Sequence, residues 1–256
     1  MFEILKARFQ QGHQTTAYPA GPPPQLSERF AGMPAIERSA CHSCDGICAG
    51  LCPSRAIQRD AAGAVALDMG RCLFCNECAE ACPKDAIRFT SQYQLAAAKR
   101  EDLITDGVNA DARLALNERA ARLYGRSFAL RVVSAGGCGA CEADVNVLTT
   151  LTWDIGRFGL HYAASPRHAD GLLLIGPVPE NMAFAVKETY DAIPAPKFVI
   201  AVGACAISGG MYADHPECHA GRRPIIPIDL HIPGCPPHPL TILDGLLRFL
   251  GRISEE

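Results

Sequence analysis

No run of apolar residues in this chain approaches the ~20 that a membrane-spanning helix needs. Basic charge is not in excess either: 24 Lys and Arg against 27 Asp and Glu give a net charge of -3. The electrostatic footprint of a nucleic-acid binder is therefore missing. The first residues, MFEILKARFQQGHQTT, lack the apolar core and small-residue cleavage site of a secretory signal. The expected compartment is the reducing cytoplasm. What the chain has in quantity is cysteine, thirteen of them in 256 residues. Disulfides are disfavoured in a reducing compartment, so clustered cysteines read as metal ligands or catalytic thiols. The odd count leaves one outside any set of pairs or fours. With 48% hydrophobic and 20% charged residues, the chain has the make-up of one large packed domain or two smaller ones.

Residues 41 to 83 hold two runs, CHSCDGICAGLCP and CLFCNECAEACP. The second has the C-x2-C-x2-C-x3-C-P spacing of bacterial ferredoxins, in which three thiolates surround one [4Fe-4S] cube and the fourth cysteine ligates the other. Carried over by position, Cys72, Cys75 and Cys78 hold one cluster together with Cys52, and Cys41, Cys44 and Cys48 hold the other together with Cys82. The first run departs from the pattern, because three residues separate Cys44 from Cys48. That puts an extra amide in the cluster loop and leaves its local hydrogen bonds, and hence its potential, open. The competing reading is a pair of structural zinc sites built on C-x2-C knuckles. Zinc needs neither a third cysteine a few residues on nor a fourth followed by proline, and both recur here. AIQRDAAGAVALDMGR and AIRFT fit the short strands and turns of a ferredoxin-like (α+β) fold. Thiolate clusters carry one electron at a time and offer no substrate site, so this half reads as a wire.

Residues 93 to 123 are rich in alanine, leucine and charge, and read as helices broken near Gly107. They serve either as a solvated spacer or as a docking element. From Ser127 the apolar runs SFALRVV, DGLLLIG and KFVIAVG alternate with helix-like segments at 142–151, 180–193 and 239–250. Such alternation predicts a parallel-sheet, flavodoxin-like α/β domain with right-handed crossovers. Ligands in these sheets bind beyond the carboxyl ends of the strands. Cys138 and Cys141 follow SFALRVV, Cys205 follows KFVIAVG, and Cys235 follows IIPIDLHI. Four thiols from three strand-end loops suffice for a third cube.

AGGCGACEADV, SPRHADGLLLIGP, GACAISGG and IPGCPPHP together resemble the small subunit of membrane-bound [NiFe] hydrogenases of the formate hydrogenlyase type. They also resemble the related complex I subunit whose cluster lies nearest quinone. The N-terminal part is similar to the separate ferredoxin-like subunit of those hydrogenases, so two usually separate subunits read as fused. This implies an arm over residues 1–35, a dicluster domain over 36–92, a helical linker over 93–126 and a small-subunit domain over 127–256. The complex I subunit has two adjacent cysteines at the first ligand position, whereas this sequence has C-x2-C, the hydrogenase arrangement. The resemblance implies three [4Fe-4S] clusters and no catalytic residue on this chain. Its expected partners are a [NiFe] large subunit (or its complex I 49 kDa-like relative), membrane subunits of the same complex, and formate dehydrogenase or a ferredoxin-like redox partner. Its expected location is the inner face of the cell membrane, held there by partner subunits. A free-standing carrier without a fixed partner is the remaining alternative.

Glu142, directly after Cys141, sits where the resembled hydrogenases carry an acid. It is a proton-relay or cluster-tuning candidate, although an acid in a first helical turn is also stabilising by about 0.3–1 kcal/mol. Arg167 and His168 face either the large subunit or solvent, and His13, His161 and His231 receive no role. Cys218, with His215 and His219 beside it, is the odd thiol, and its spacing matches no standard metal site. FEILKARF predicts a short amphipathic helix suited to a membrane subunit or interface, and AYPAGPPPQL an extended arm that wraps a neighbour.

Overall fold

A computed structural model describes residues 2–41, 44–59, 63, 65–106, 118–221 and 223–253. The first half is built twice over. Strand β1 (Pro34–Ile36), helices α2 (Arg38–Cys41) and α3 (Ile47–Leu51) and strand β2 (Ile57–Arg59) are followed by β3 (Val65–Asp68), α4 (Glu77–Glu80) and β4 (Ile87–Phe89). The outer strands β1 and β4 pair antiparallel, Pro34 opposite Phe89, and the inner β2 and β3 pair antiparallel, Ile57 opposite Leu67. Local chemistry repeats along with the topology. Gly46 and Asn76 enter α3 and α4 with φ of 71° and 67°. In the twice-used C-P-x-x-A-I segment, Arg55 and Asp85 have φ of 53° and 50°, and the amides of Ala56 and Ala86 donate to the sulfurs of Cys52 and Cys82 at 3.2 and 3.3 Å.

Residues 93–106 correct the expectation of helix. The segment runs past β10 (Leu230–Ile232), exchanges backbone hydrogen bonds between Ala97 and His231 at 3.0 and 2.8 Å, makes one short 3-10 turn at Glu101–Leu103 and ends in β5 (Ile104–Thr105) against β3. Alanine's helix preference is worth only tenths of a kcal/mol per residue, and here edge pairing overrides it. The expected break at Gly107 lies outside the described residues, after which α5 (Glu118–Tyr124) is helical.

The second half is a five-stranded, wholly parallel sheet of β6 (Phe128–Ser134), β7 (Leu160–Tyr162), β8 (Gly171–Ile175), β9 (Phe198–Val202) and β10, in the order β10-β9-β8-β6-β7. Counted along the chain this is 2-1-3-4-5, the flavodoxin-like order. Strands buried on both faces read as continuous apolar runs, which is why β8 and β9 are GLLLI and FVIAV with every residue buried. Alternation then divides them. Leu173, Ile175, Ile200 and Val202 pack with α6 (Ala140–Val147) and α9 (Pro239–Phe249). Leu172, Leu174, Val199 and Ala201 pack with α7 (Glu180–Ala192) and α8 (Ala204–Ser208), in one apolar cluster that also contains Leu67 and Ile87 of the first half. The halves share a core.

The N-terminal arm wraps its own chain. Thr16 donates its amide to Thr152 at 2.9 Å, Arg157 donates to the carbonyls of Thr16 and Tyr18 at 2.6 and 2.7 Å, and Met33 donates to Gln92 at 2.9 Å. Tyr18, buried, donates its hydroxyl to Asp244 in the middle of α9, and Arg248 donates to both oxygens of that carboxylate at 3.0 and 3.1 Å. A charge inside an apolar helix is tolerable only when paired and hydrogen-bonded. The predicted helix forms as α1 (Phe2–Gln11), with Phe2 and Phe9 87% and 86% exposed and none of its residues buried.

Breaking a buried pair costs about 3–5 kcal/mol, whereas removing one hydrogen bond to a charged group costs about 1.5–3 kcal/mol. Asp244→Ala is therefore expected to destabilise the chain more than Tyr18→Phe in urea titrations followed by Trp153 fluorescence. Equal midpoints would contradict the assignment of Asp244 as the arm's buried anchor.

Candidate iron–sulfur sites

None of the thirteen cysteines forms a disulfide. Three neighbourhoods emerge from which thiols press on one another. Burial pushes the Cys41 thiol up, the nearby Cys44, Cys48 and Cys82 push it further, and the Arg59 guanidinium pulls it back. Burial pushes Cys72 up to about 12, against the Phe74 amide that donates to its sulfur at 3.3 Å, with Cys78, Cys52 and Cys75 adding repulsion. Burial likewise raises Cys141 to about 12 and Cys205 to about 11, each repelled by Cys235 and Cys138. By these repulsions the thiols fall into three sets: Cys41, Cys44, Cys48, Cys82; Cys52, Cys72, Cys75, Cys78; Cys138, Cys141, Cys205, Cys235.

The neighbourhoods also lie within electrostatic reach of one another. Cys78, buried and raised to about 12, feels Cys48 of the first group, and Cys235, raised by burial, feels Cys75 of the second. The order is Cys41 group, Cys52 group, Cys138 group. A cavity of about 270 Å³ lies at the last junction, lined by Phe30, Phe74, Leu95, Cys235, His238 and Thr241.

Local folding explains how the third group assembles at the carboxyl edge of the sheet. β6 ends at Ser134, and Gly139, with φ of 92°, turns the chain into α6 between Cys138 and Cys141. The amides of Gly203 and Ala204 donate to Ile232 and Gly234, both at 2.9 Å, tying the Cys205 loop to the Cys235 loop. A Cβ on Gly203 would stand 2.6 Å from the Cys141 sulfur, so only glycine admits that thiol.

These groups suit iron–sulfur clusters on their chemistry. Each offers four thiols, and burial, reinforced by mutual repulsion, keeps several of them protonated until iron displaces the protons. Amides already donate to the sulfurs of Cys52, Cys72 and Cys82. Among the described residues no three His, Cys, Asp or Glu side chains gather tightly enough to hold a single metal ion. A cube, ligated at four corners, asks for a wider ring than one zinc ion.

The remaining candidates separate. Glu142 accepts from the Ser134 hydroxyl, and its Oε2 is buried without a hydrogen-bond partner among the described residues. Arg167 and His168 are exposed in a short turn before β8. Cys218 is buried and donates to the Pro177 carbonyl at 3.3 Å, while His219 pairs with Glu180 at 2.7 Å, so the two do not converge with His215. Sequence reasoning passed over Arg59, which donates to the Cys44 carbonyl at 2.9 Å, and Phe89, which packs edge-on to Phe74 with ring centroids 5.9 Å apart. The signal lay in the repeat itself, because counting from Cys52 and Cys82 puts Arg59 and Phe89 at equivalent positions.

Comparison with known proteins gives the 4Fe-4S binding domain over residues 65–88 and the family described as NADH ubiquinone oxidoreductase, 20 Kd subunit, over residues 138–249. The probable membrane-bound hydrogenase subunit mbhJ of Pyrococcus furiosus is 39% identical over 150 residues, 57% of this chain and 90% of that protein. An NADH-quinone oxidoreductase subunit of Clostridium beijerinckii is 41% identical over 118 residues, 46% of this chain and 70% of its own. Of NAD(P)H-quinone oxidoreductase subunit K 2 of Cyanothece sp., 41% identical over 121 residues, the match spans 47% of each chain. Its strand-end cysteines and the extent of these matches place the chain, through its second half, in the NADH ubiquinone oxidoreductase 20 Kd subunit family.

Proposed function

We propose that this chain is the electron-transfer subunit of a membrane-associated oxidoreductase complex, carrying three [4Fe-4S] clusters in a row and no catalytic centre of its own. The observation that carries the reading is that the three thiol groups lie in sequence within electrostatic reach of one another, Cys48 acting on Cys78 and Cys75 on Cys235. A relay needs centres near enough to one another for an electron to pass in steps.

[4Fe-4S] clusters supply one-electron chemistry over a wide range of potentials. The chain's own residues do the rest. Cys41, Cys44, Cys48 and Cys82 hold the first cluster, Cys52, Cys72, Cys75 and Cys78 the second, and Cys138, Cys141, Cys205 and Cys235 the third. The amides of Ala56, Phe74 and Ala86 offset negative charge at sulfur, and Cys48, Cys72 and Cys78 are buried while Cys75 is exposed. Glu142, held by Ser134 and with one oxygen unpartnered, is retained as a proton-relay or tuning residue beside Cys141.

The finer reading is a [NiFe] hydrogenase of the formate hydrogenlyase type, with nickel and iron on a partner large subunit beyond the Cys138 group. The C-x2-C spacing of Cys138 and Cys141 and the relative named as a probable membrane-bound hydrogenase subunit support it. The second reading is a quinone-linked relative without hydrogen chemistry, favoured by the relatives named as NADH-quinone and NAD(P)H-quinone oxidoreductase subunits. No helix among the described residues is long and apolar enough to cross a membrane, so attachment falls to membrane subunits, with a formate dehydrogenase or ferredoxin-like protein as redox partner. Residues 1–35, 36–92, 93–126 and 127–256 act as arm, dicluster domain, linker and small-subunit domain.

Cys205→Ser is expected to remove about a third of the roughly twelve iron atoms that three cubes require, and loss of nearly all the iron would contradict independent sites. The complex purified anaerobically through this chain is expected to contain nickel and to reduce viologen with H2. An intact, iron-replete complex without that activity selects the quinone-linked reading.

A further inference from the structure

The two cassettes of the first half are the same fold with different covers, and the difference falls where the first spacing is irregular. Gly46 and Asn76 both stand two residues before the third cysteine of their run, Cys48 and Cys78, and both adopt positive φ on entering the helix. Counting back from that shared turn, the extra residue is Asp45, inserted between Cys44 and Gly46. Asp45 is exposed and Gly46 is buried. What buries Gly46 is Arg59: a Cβ at Gly46 would stand 2.2 Å from Arg59 Nη1 and 2.7 Å from its Cδ. Arg59 Nη2 also donates to the Cys44 carbonyl at 2.9 Å, and its Nε to the Gly63 carbonyl at 3.4 Å. At the equivalent position the second cassette has Phe89, packed on Phe74 of its own cysteine loop. One cluster loop is pinned by a cation and the other is roofed by two aromatic rings.

Resting on the reading that these thiols hold [4Fe-4S] clusters, we propose that Arg59 is the positioning residue of the widened Cys44–Cys48 loop. It fixes the Cys44 backbone and places a permanent positive charge beside the cluster of Cys41, Cys44, Cys48 and Cys82, setting that cluster at a higher potential than the phenylalanine-covered one. The physical reason is the charge change on reduction. An added electron makes a thiolate-ligated cluster more negative, so a nearby cation favours the reduced form, while a dry apolar cover disfavours it. Arginine suits the task because its guanidinium stays charged at any working pH and its fork can hold two carbonyls at once. Glycine at position 46 is required for the same reason, since a side chain there would lift the guanidinium off the loop.

The test is a redox titration of the full chain followed by EPR, with the signal of the Cys41 group identified as the one altered in Cys44→Ser. In Arg59→Gln, iron content is expected to equal wild type, and that one signal is expected to shift to lower potential while the other two stay in place. In Arg59→Lys, which keeps the charge and loses the fork, the shift is expected to be smaller. An unmoved signal in Arg59→Gln overturns the proposal, as does a shift shared by all three signals. So does an equal shift in Arg59→Lys, which would make the residue a brace without an electrostatic effect. A wild-type chain lacking the Cys41-group signal would overturn the cluster reading itself, whereas three signals with no shift overturn only the role of Arg59.

Discussion

Burial of thiols close to one another is the constraint on which the rest of this structure depends. Four sulfurs gathered in a low-dielectric pocket cannot all ionise unaided, and burial drives Cys72, Cys78 and Cys141 up to about 12. On the proposed reading, iron is the positive charge that resolves the conflict, so the thiols and the clusters require each other. The fold's part is to hold the sulfurs in place beforehand: short helices entered through left-handed residues, prolines after the fourth cysteines, glycine where a sulfur approaches the backbone, and amides aimed at sulfur.

Two solutions to that problem are joined in one chain. On the proposed ligation the first half uses local sequence, placing three thiols of each group within one run and exchanging the fourth between runs, which ties the halves of the cassette together. The second half uses topology, drawing Cys138, Cys141, Cys205 and Cys235 from loops at the carboxyl ends of β6, β9 and β10. The seam between them is neither loose nor polar throughout. Residues 95–97 are buried and pair with the sheet edge, Arg100 reaches Asp68 at 2.5 Å, and Leu67 and Leu172 belong to one core. That packing holds Cys75 within electrostatic reach of Cys235.

The parts of this arrangement written as short-range pattern were legible in the sequence. The continuous apolar runs of β8 and β9 announced a doubly covered parallel sheet. What was not legible depended on partners distant in the chain. Residues 93–106 have the composition of a helix, yet the free edge of β10 offers Ala97 hydrogen bonds that no local preference reveals. The arm around Tyr18 reads as free polyproline until Asp244, 226 residues on, supplies its anchor. LHY of β7 is too short to announce itself. Arg59 was hidden by its ordinariness, an exposed arginine whose meaning emerges only beside Phe89 in the other copy of the cassette.

Spin quantitation by EPR on the fully reduced chain, at fixed pH and without partners, tests the three-cluster relay most directly. The account predicts three paramagnetic centres per chain, with the middle one broadened by magnetic interaction with both neighbours. Two centres, or three that are magnetically isolated from one another, would contradict it.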